Sequence, residues 1–420
     1  MKKRYCVVGA SGRSTTMYVQ PIAEEHAETC ELVGIYDANY GRACYVAEKY
    51  GHGAPVYKDF DLMIAEAKPD ALIVCCTDYV HAKYIIRGLE LGLEVFSEKP
   101  MCINAQQVEE ILAAEKKYNN RIGVCFNMRY YDSVVMVKRM LDSGIIGEVY
   151  TANLEWMLAR PKVNGRHGAS YYRRWNAEME KSGGLLITKA THHFDMANWF
   201  IGQNPVRVSA FGKLRVYGAK NAPFQGTRCR DCIHADKCEF VTVAGDEMKE
   251  MYFDQEKYDG YVVDKCVFRD EINIYDSMSI NVEYDGGCVL SYTESSHAAY
   301  EGWKMTLNGA KGRMEIASYA KGCGGLKPDE PFDFIRVIDL DNNVTTYPFP
   351  EVKPGGHGGS DPSLRGVLFD GNAPELPSQK ATAREGAYSV LIGAAANQSI
   401  AEGKIITIRD MLKDPTLLDR

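Results

Sequence analysis

Over the first 127 residues, short apolar runs alternate with stretches of helical spacing. The runs are RYCVVG (4–9), ELVGIYD ending at Asp37, PDALIVCCT (69–77), LEVFSEKP ending at Pro100, and IGVCFN (122–127). Between them lie ASGRSTTMYVQPIAEE, a stretch with Ala43, Val46 and Ala47 at helical spacing, HAKYIIRGLELG, and a helix from about Asn104 to Tyr118. Each strand is apolar on both faces, so each must be covered on both sides. Parallel strands joined by helices satisfy that demand, and a doubly wound α/β sheet is expected.

Such a sheet binds ligands beyond the carboxyl ends of its strands. The first strand ends at Gly9, and the next turn is an imperfect G-x-G-x-x-G. The matching positions are Gly9, Ser11 and Ser14, with an extra Gly12 followed by Arg13. Any flexible strand-to-helix turn would use similar residues. Position favours a nucleotide: the turn opens a helix, whose free N–H groups and dipole suit phosphate oxygens. An acidic residue, Asp37, also ends the second strand. It would accept hydrogen bonds from ribose hydroxyls and repel a 2′-phosphate, which favours NAD over NADP; Arg42, close by, pulls the other way.

Composition narrows the function classes. The 420 residues suggest two or three domains. A net charge of −7, with no basic stripe carrying interleaved aromatics, argues against a nucleic-acid partner and for a small molecule. The basic start MKKRYCVVGA breaks at Gly9, before a signal-peptide core. No run approaches the roughly 20 apolar residues of a membrane span, so a cytoplasmic protein is expected. Most of the 13 cysteines sit in apolar runs, as Cys6, Cys75, Cys76 and Cys125 do, and read as buried thiols.

The second part of the chain changes character. Strand-like runs EVYTANLEWML, VRVSAFGKLRVYG, SMSINVEYDGGCVLSYTES, KMTLNGAKGRMEI and FIRVIDLDNNVTTYPF follow one another. Turn signals at Asp285-Gly286-Gly287 and Asp341-Asn342-Asn343 join two of the pairs. This predicts a hairpin-rich antiparallel sheet, with a late helix over about Ala381–Glu402 ending near Gly403.

Three strand-end motifs, CCTDYVH (75–81), EKP (98–100) and FNMRYY (126–131), then line up with the D-x-N-x-x-R of Asp37, Asn39 and Arg42. With IIGEV (145–149), SGGLLITKATHHFD (182–195) and GAKGRMEI (309–316), they occur in the order of a known pattern. The chain resembles the glucose-fructose oxidoreductase / inositol dehydrogenase family of NAD(P)-dependent sugar oxidoreductases over nearly its whole length. The resemblance implies an N-terminal Rossmann domain (1–126) and a C-terminal α+β domain (127–420) with an open, mostly antiparallel sheet. A homodimer or homotetramer is also implied. Thr77 and His81 would line the cofactor site, Glu98 would contact the nicotinamide-ribose side, Lys99 would approach substrate and nicotinamide, and Asn127 would close the pocket. Arg129 is a candidate substrate contact.

Oxidising a secondary alcohol requires hydride loss from carbon and a base for the hydroxyl proton, best with a pKa near neutrality. In the resembled family a lysine and a histidine share this site; here they are Lys99 and His192. A buried lysine beside a cationic nicotinamide would have a lowered pKa. Many members carry an aspartate four residues before the histidine, where this chain has Thr188. The next residue, Lys189, lies three and four residues before His192 and His193 on a helix and neighbours both. It would hold a polar or acidic substituent or share proton transfer; otherwise it faces solvent. His193, about 100° further round the helix, is either a substrate contact or a hydrogen-bonded core residue. His192 and Asp195 could bind a metal, but no third ligand is evident.

YYRRWN (171–176) offers Tyr172, Arg173, Arg174 and Trp175 as a sugar-binding wall, or else an exposed basic loop. GHGGSD (356–361), with His357 and Asp361, either reaches the pocket or a neighbouring subunit or is a plain turn. TRCRDCIHADKCEF places Cys229, Cys232 and Cys238 in a C-x2-C-x5-C spacing, inside an insertion at about 218–270. With Cys266, His234 or Cys323 as fourth ligand, a structural zinc is expected ahead of an iron–sulfur cluster, a set of free thiols or a disulfide. The functional expectation is an NAD-dependent oxidoreductase acting on a sugar, glycoside or polyol. The alternatives are glycoside cleavage by transient C3 oxidation, with tightly held NAD recycled, and a non-catalytic nucleotide-binding regulator.

Overall fold

The computed structural model describes residues 1–160, 168–319 and 333–419. Two sheets organise them. The first has seven strands in the order β15-β6-β5-β4-β1-β2-β3. Its members are β1 (Lys3–Val8), β2 (Cys30–Tyr36), β3 (Val56–Tyr57), β4 (Ala71–Val74), β5 (Glu94–Ser97), β6 (Ile122–Val124) and β15 (Ala381–Thr382). All neighbouring pairs are parallel except β6 with β15.

Alternation along β1 shows why both faces had to be apolar. Tyr5 and Val7 enter one core cluster, while Cys6 and Val8 enter the other. Fully burying an aliphatic or aromatic side chain contributes about 1.5–3 kcal/mol, so neither face of such a strand tolerates water. The helices Tyr40–Tyr50, His81–Glu90 and Ala105–Tyr118 supply much of the cover.

The second sheet has nine strands in the order β14-β13-β12-β11-β7-β10-β9-β8-β16. They are β7 (Val149–Ala159), β8 (Pro205–Lys213), β9 (Ser277–Tyr284), β10 (Val289–Ala298), β11 (Gly302–Gly309), β12 (Gly312–Tyr319), β13 (Phe334–Asp339), β14 (Val344–Tyr347) and β16 (Ile406–Thr407). Every pair is antiparallel except β7 with β10. One face packs on the helices Ala383–Glu402 and Thr191–Ile201. Among the described residues no helix is long and apolar enough to cross a membrane.

The chain does not divide cleanly at residue 126. The helix Ser360–Phe369 returns to the first sheet, where Leu364, Leu368 and Phe369 join Tyr5 and Val7 in one cluster. Tyr5 donates its hydroxyl hydrogen to the Leu368 carbonyl at 3.1 Å, and β15 completes the sheet beside β6. The last third of the sequence thus belongs to both layers.

Candidate active site

A cleft of about 900 Å³ runs between the carboxyl edge of the first sheet and the segments preceding the helix Thr191–Ile201. At one end stands the glycine turn. Gly9 has φ +111° and a Cβ there would lie 2.3 Å from the Cys75 carbonyl oxygen, so only glycine fits between β1 and β4. Ser11 and Ser14 cap each other across the first helical turn, and no atom lies within 4 Å of where a Cβ at Gly12 would stand. Asp37 accepts the Ala10 N–H (2.7 Å) and the Asn39 N–H (2.7 Å), and it pairs with Arg42 (3.0 Å). An open backbone turn beside an acidic strand end fits a dinucleotide.

The far wall of this end comes from the insertion. Tyr252 accepts the Gly12 N–H (3.3 Å), Gln255 accepts from the Asn39 amide (2.9 Å), and Asp259 meets Arg42 at 3.5 Å. The Arg42 guanidinium also lies 5.7 Å from each of the Tyr252 and Tyr261 ring centres. Burial opposes its charge, but Asp37 and Asp259 outweigh that and hold it protonated. Glu250 receives Tyr45 (3.0 Å) and Lys49 (2.7 Å). At Gly41 a Cβ would lie 2.0 Å from the Tyr258 ring, so the two surfaces meet without a side chain between them.

The other end gathers titratable groups. Glu98, at the end of β5, accepts from Arg13 (2.6 Å) and Tyr18 (2.8 Å), and Arg13 also pairs with Asp361 (2.8 Å). Lys99 donates to the Thr188 carbonyl at 2.8 Å. Burial, then the Lys189 charge, push the Lys99 ammonium down to about 8. His192 is 7% exposed, and its Nδ1 has no hydrogen-bond partner among the described residues. Burial and the charges of Lys99 and Lys189 hold it well below the usual histidine range, so it is neutral. Lys189 is lowered by burial against the opposing pull of Glu301 and Glu294. Its ammonium sits 5.4 Å from the Trp156 ring centre.

Most of the expected site residues line this cleft: Gly9, Ser11, Gly12, Arg13, Asp37, Arg42, Thr77, His81, Glu98, Lys99, Asn127, Arg174, Trp175, Lys189 and His192. His357 does too, so the GHGGSD loop reaches the site; its ring meets Asp361 at 2.7 Å. His81 lines the wall with both ring nitrogens facing carbonyls, of Pro100 (2.8 Å) and Cys76 (3.1 Å). It ties two strand ends together.

Four expected substrate contacts lie elsewhere. Arg129 is 2% exposed and forms a two-pronged pair with Asp195 at 2.8 and 2.7 Å. That also explains Asp195 as a packing residue. Tyr172 stacks on Tyr217 at 3.8 Å and bonds the Tyr275 carbonyl and Ser296. His193 stacks on Trp156 at 3.5 Å and meets the Tyr292 hydroxyl at 2.6 Å, inside the core. Tyr171 and Arg174, three residues apart, face the cleft, while Arg173 turns away from it.

Arg173 instead enters the cysteine cluster. Cys229, Cys232, Cys238 and Cys266 line one cavity of about 20 Å³. Arg173 donates there to Cys229 Sγ (3.0 Å) and to the Phe240 carbonyl. Among the described residues no group of three or more His, Cys, Asp or Glu is placed to hold a metal. The expected zinc therefore finds no support among the described residues. His234 packs on Phe224 instead (4.8 Å), and Cys323 falls outside the described residues.

Sequence reasoning missed three parts of the cleft: Asp78, Tyr171, and the insertion's Tyr252 and Tyr261. Asp78 carried a signal, since it sits in a strand-end motif. The insertion carried none, because its docking partner lies some 200 residues earlier.

Comparison with known proteins agrees with this architecture. Residues 3–126 match the family model for the NAD-binding Rossmann fold of the GFO_IDH_MocA oxidoreductases, and residues 138–408 match that family's C-terminal alpha/beta domain. The protein YteT of Bacillus subtilis (strain 168) is 34% identical over 98% of this chain and 99% of its own. The inositol 2-dehydrogenase of Rhizobium meliloti (strain 1021) is 28% identical over 50% of this chain and 58% of its own. Among solved structures, the WlbA dehydrogenase from Bordetella pertussis, in complex with NADH and UDP-GlcNAcA, superposes with a TM-score of 0.65. It is 20% identical, over 97% of this chain and 99% of that one, and shares the fold. With both of its domain models matched over most of its length, the chain belongs to the Gfo/Idh/MocA family of oxidoreductases.

Proposed function

We propose that the protein is an NAD-dependent oxidoreductase that oxidises a secondary hydroxyl of a sugar, glycoside or polyol. One observation carries this reading. Lys99 and His192 line one cleft, are both buried and are both shifted toward the uncharged form, in the cleft that also holds the glycine turn. Bound NAD would supply the hydride acceptor. Lys99, as a neutral amine, would take the hydroxyl proton, and neutral His192 would hold the substrate oxygen and pass protons onward. With Arg42 already engaged by Asp37 and Asp259, a 2′-phosphate would meet two carboxylates, which favours NAD over NADP. The partial similarity to inositol 2-dehydrogenase and to the D-glucoside 3-dehydrogenase of Escherichia coli (strain K12), 29% identical over 41% of this chain and 47% of its own, supports a polyhydroxylated substrate. Incubating the protein with NAD and a panel of sugars, glycosides and inositols tests it. Stoichiometric NADH from at least one of them is expected, and none from any would end the proposal.

A second reading is redox-neutral glycoside cleavage, in which transient oxidation at C3 permits elimination and NAD is regenerated. The insertion's cover over the adenosine end favours it, because it suits a cofactor retained through turnover. Cleavage of an aryl glycoside without net NADH distinguishes the two. We also propose a cytoplasmic homodimer or homotetramer, assembled through the sheet face where Phe211 and Val289 stand exposed. Light scattering on the purified protein measures that state.

A further inference from the structure

Asp78 has no role in the chemistry described so far. It follows β4 in the one-turn helix Asp78–Val80 and is 5% exposed in the wall of the cleft. One carboxylate oxygen, Oδ2, has no hydrogen-bond partner among the described residues. The other side of the group is held: the Thr188 hydroxyl donates toward it, while that hydroxyl accepts from the Asn176 amide at 3.1 Å. The Thr188 carbonyl in turn accepts from Lys99 at 2.8 Å. A single residue therefore holds a carboxyl through its hydroxyl and an amine through its carbonyl.

Buried carboxyls are normally fully hydrogen-bonded or paired, because an unpaired one costs several kcal/mol. The groups facing Asp78 are Cys76 from its own turn, Glu98 and Lys99 from the end of β5, Tyr171, and Thr188. The Glu178–Lys181 pair belongs to the helix packed against it. Lys99 is the cation among them that acts on Asp78 most strongly. Burial pushes the Asp78 carboxyl up to about 8, against the pull of Lys99, so the two groups compete for a proton over the same pH range.

We propose that Asp78 is the relay partner of Lys99, the group that receives the substrate's proton after Lys99 has taken it. Resting on the oxidoreductase reading, the step balances as follows. The substrate O–H bond breaks and its proton goes to the Lys99 amine, while the C–H bond breaks and its electron pair leaves as hydride to NAD⁺. The Lys99 ammonium then passes one proton to the Asp78 carboxylate. The substrate is oxidised to the ketone, NAD⁺ is reduced to NADH, Asp78 ends protonated and Lys99 is restored. Asp78 acts through Lys99 and does not touch the substrate.

Two measurements test the relay. In the NAD-free protein, the labelling rate of Lys99 by an amine-reactive reagent is followed against pH for wild type and Asp78→Asn. Where Asp78 is ionised its charge favours the Lys99 ammonium, so Asp78→Asn should move the midpoint of the Lys99 labelling profile down by about half a pH step or more. An unchanged labelling profile overturns the coupling whether or not any substrate is found. With a responsive substrate, Asp78→Asn should lower kcat about 100-fold, with KM and NAD affinity within about twofold and the pH dependence of kcat displaced. Asp78→Glu should recover part of it. A kcat and pH profile equal to wild type overturn the relay, as does a loss that follows melting temperature alone. Absence of any turnover in wild type would instead count against the oxidoreductase reading.

Discussion

The two ends of the cleft handle charge in opposite ways. At the adenosine end the central charges are paired: Asp37 with Arg42, Arg42 with Asp259, Lys49 with Glu250. At the substrate end Arg13 pairs with Glu98 and Asp361, but beside them Lys99, Lys189 and His192 crowd together as cations or latent cations, and Asp78 is buried with Oδ2 unbonded among the described residues. Pairing holds a group in one protonation state and one place, which is what recognition needs. Leaving charges unpaired in a dry site drives protonation toward neutrality, which is what proton transfer needs.

Lys99→Met should break the contrast most sharply. Loss of the base is expected to lower kcat by about 10²–10⁴-fold while NAD affinity, measured by calorimetry, stays within a few-fold. A large loss of NAD binding instead would place Lys99 among the recognition residues. Next in size is Asp195→Asn, which strands Arg129 in the core. It should cost about 3–5 kcal/mol in chemical denaturation, and a cost below about 1 kcal/mol would show that deep pairing is not what fixes this region. Arg42→Ala should raise the NAD dissociation constant roughly tenfold, the loss of one charge-assisted contact, with kcat at saturating NAD unchanged.

The pH dependence sharpens the same point. The Lys99 midpoint is lowered, so its working amine form grows as pH rises. The oxidation rate should climb toward a plateau above about 8 and fall about tenfold per pH step well below it. A rate that is flat between pH 6 and 9, roughly the window these shifts define, would remove Lys99 as the base. The smallest effect belongs to Gly41→Ala. The new methyl collides with Tyr258 and should loosen the insertion, raising the NAD dissociation constant about threefold and exposing the segment to protease.

Much of the frame was readable in the residues. The five apolar runs became β1, β2, β4, β5 and β6 to within three residues at either end, because parallel strands buried on both faces leave an unbroken apolar signature. The turns at Gly287 and Asn342 adopt the positive φ that their glycine and asparagine suggested. Motif positions carried Lys99, His192 and Asp37 to one cleft. Side-chain direction did not come through. Arg173 and Arg174 are neighbours in sequence, and Tyr172 and His193 looked as polar as true site residues; only packing decided that three of these four face inward. The C-x2-C spacing had a related limit, since a pattern cannot show that Arg173 donates to Cys229 Sγ in the same cavity.

The strand β15 has a consequence for how this protein is made. The edge of the first sheet beside β6, and the cover over Tyr5, come from residues 360–382, synthesised after almost all the rest. A nascent chain cannot finish its nucleotide-binding half when that half leaves the ribosome. It must keep a bare strand edge and an uncovered apolar face until the end of translation, and a fragment stopped near residue 126 would carry both permanently.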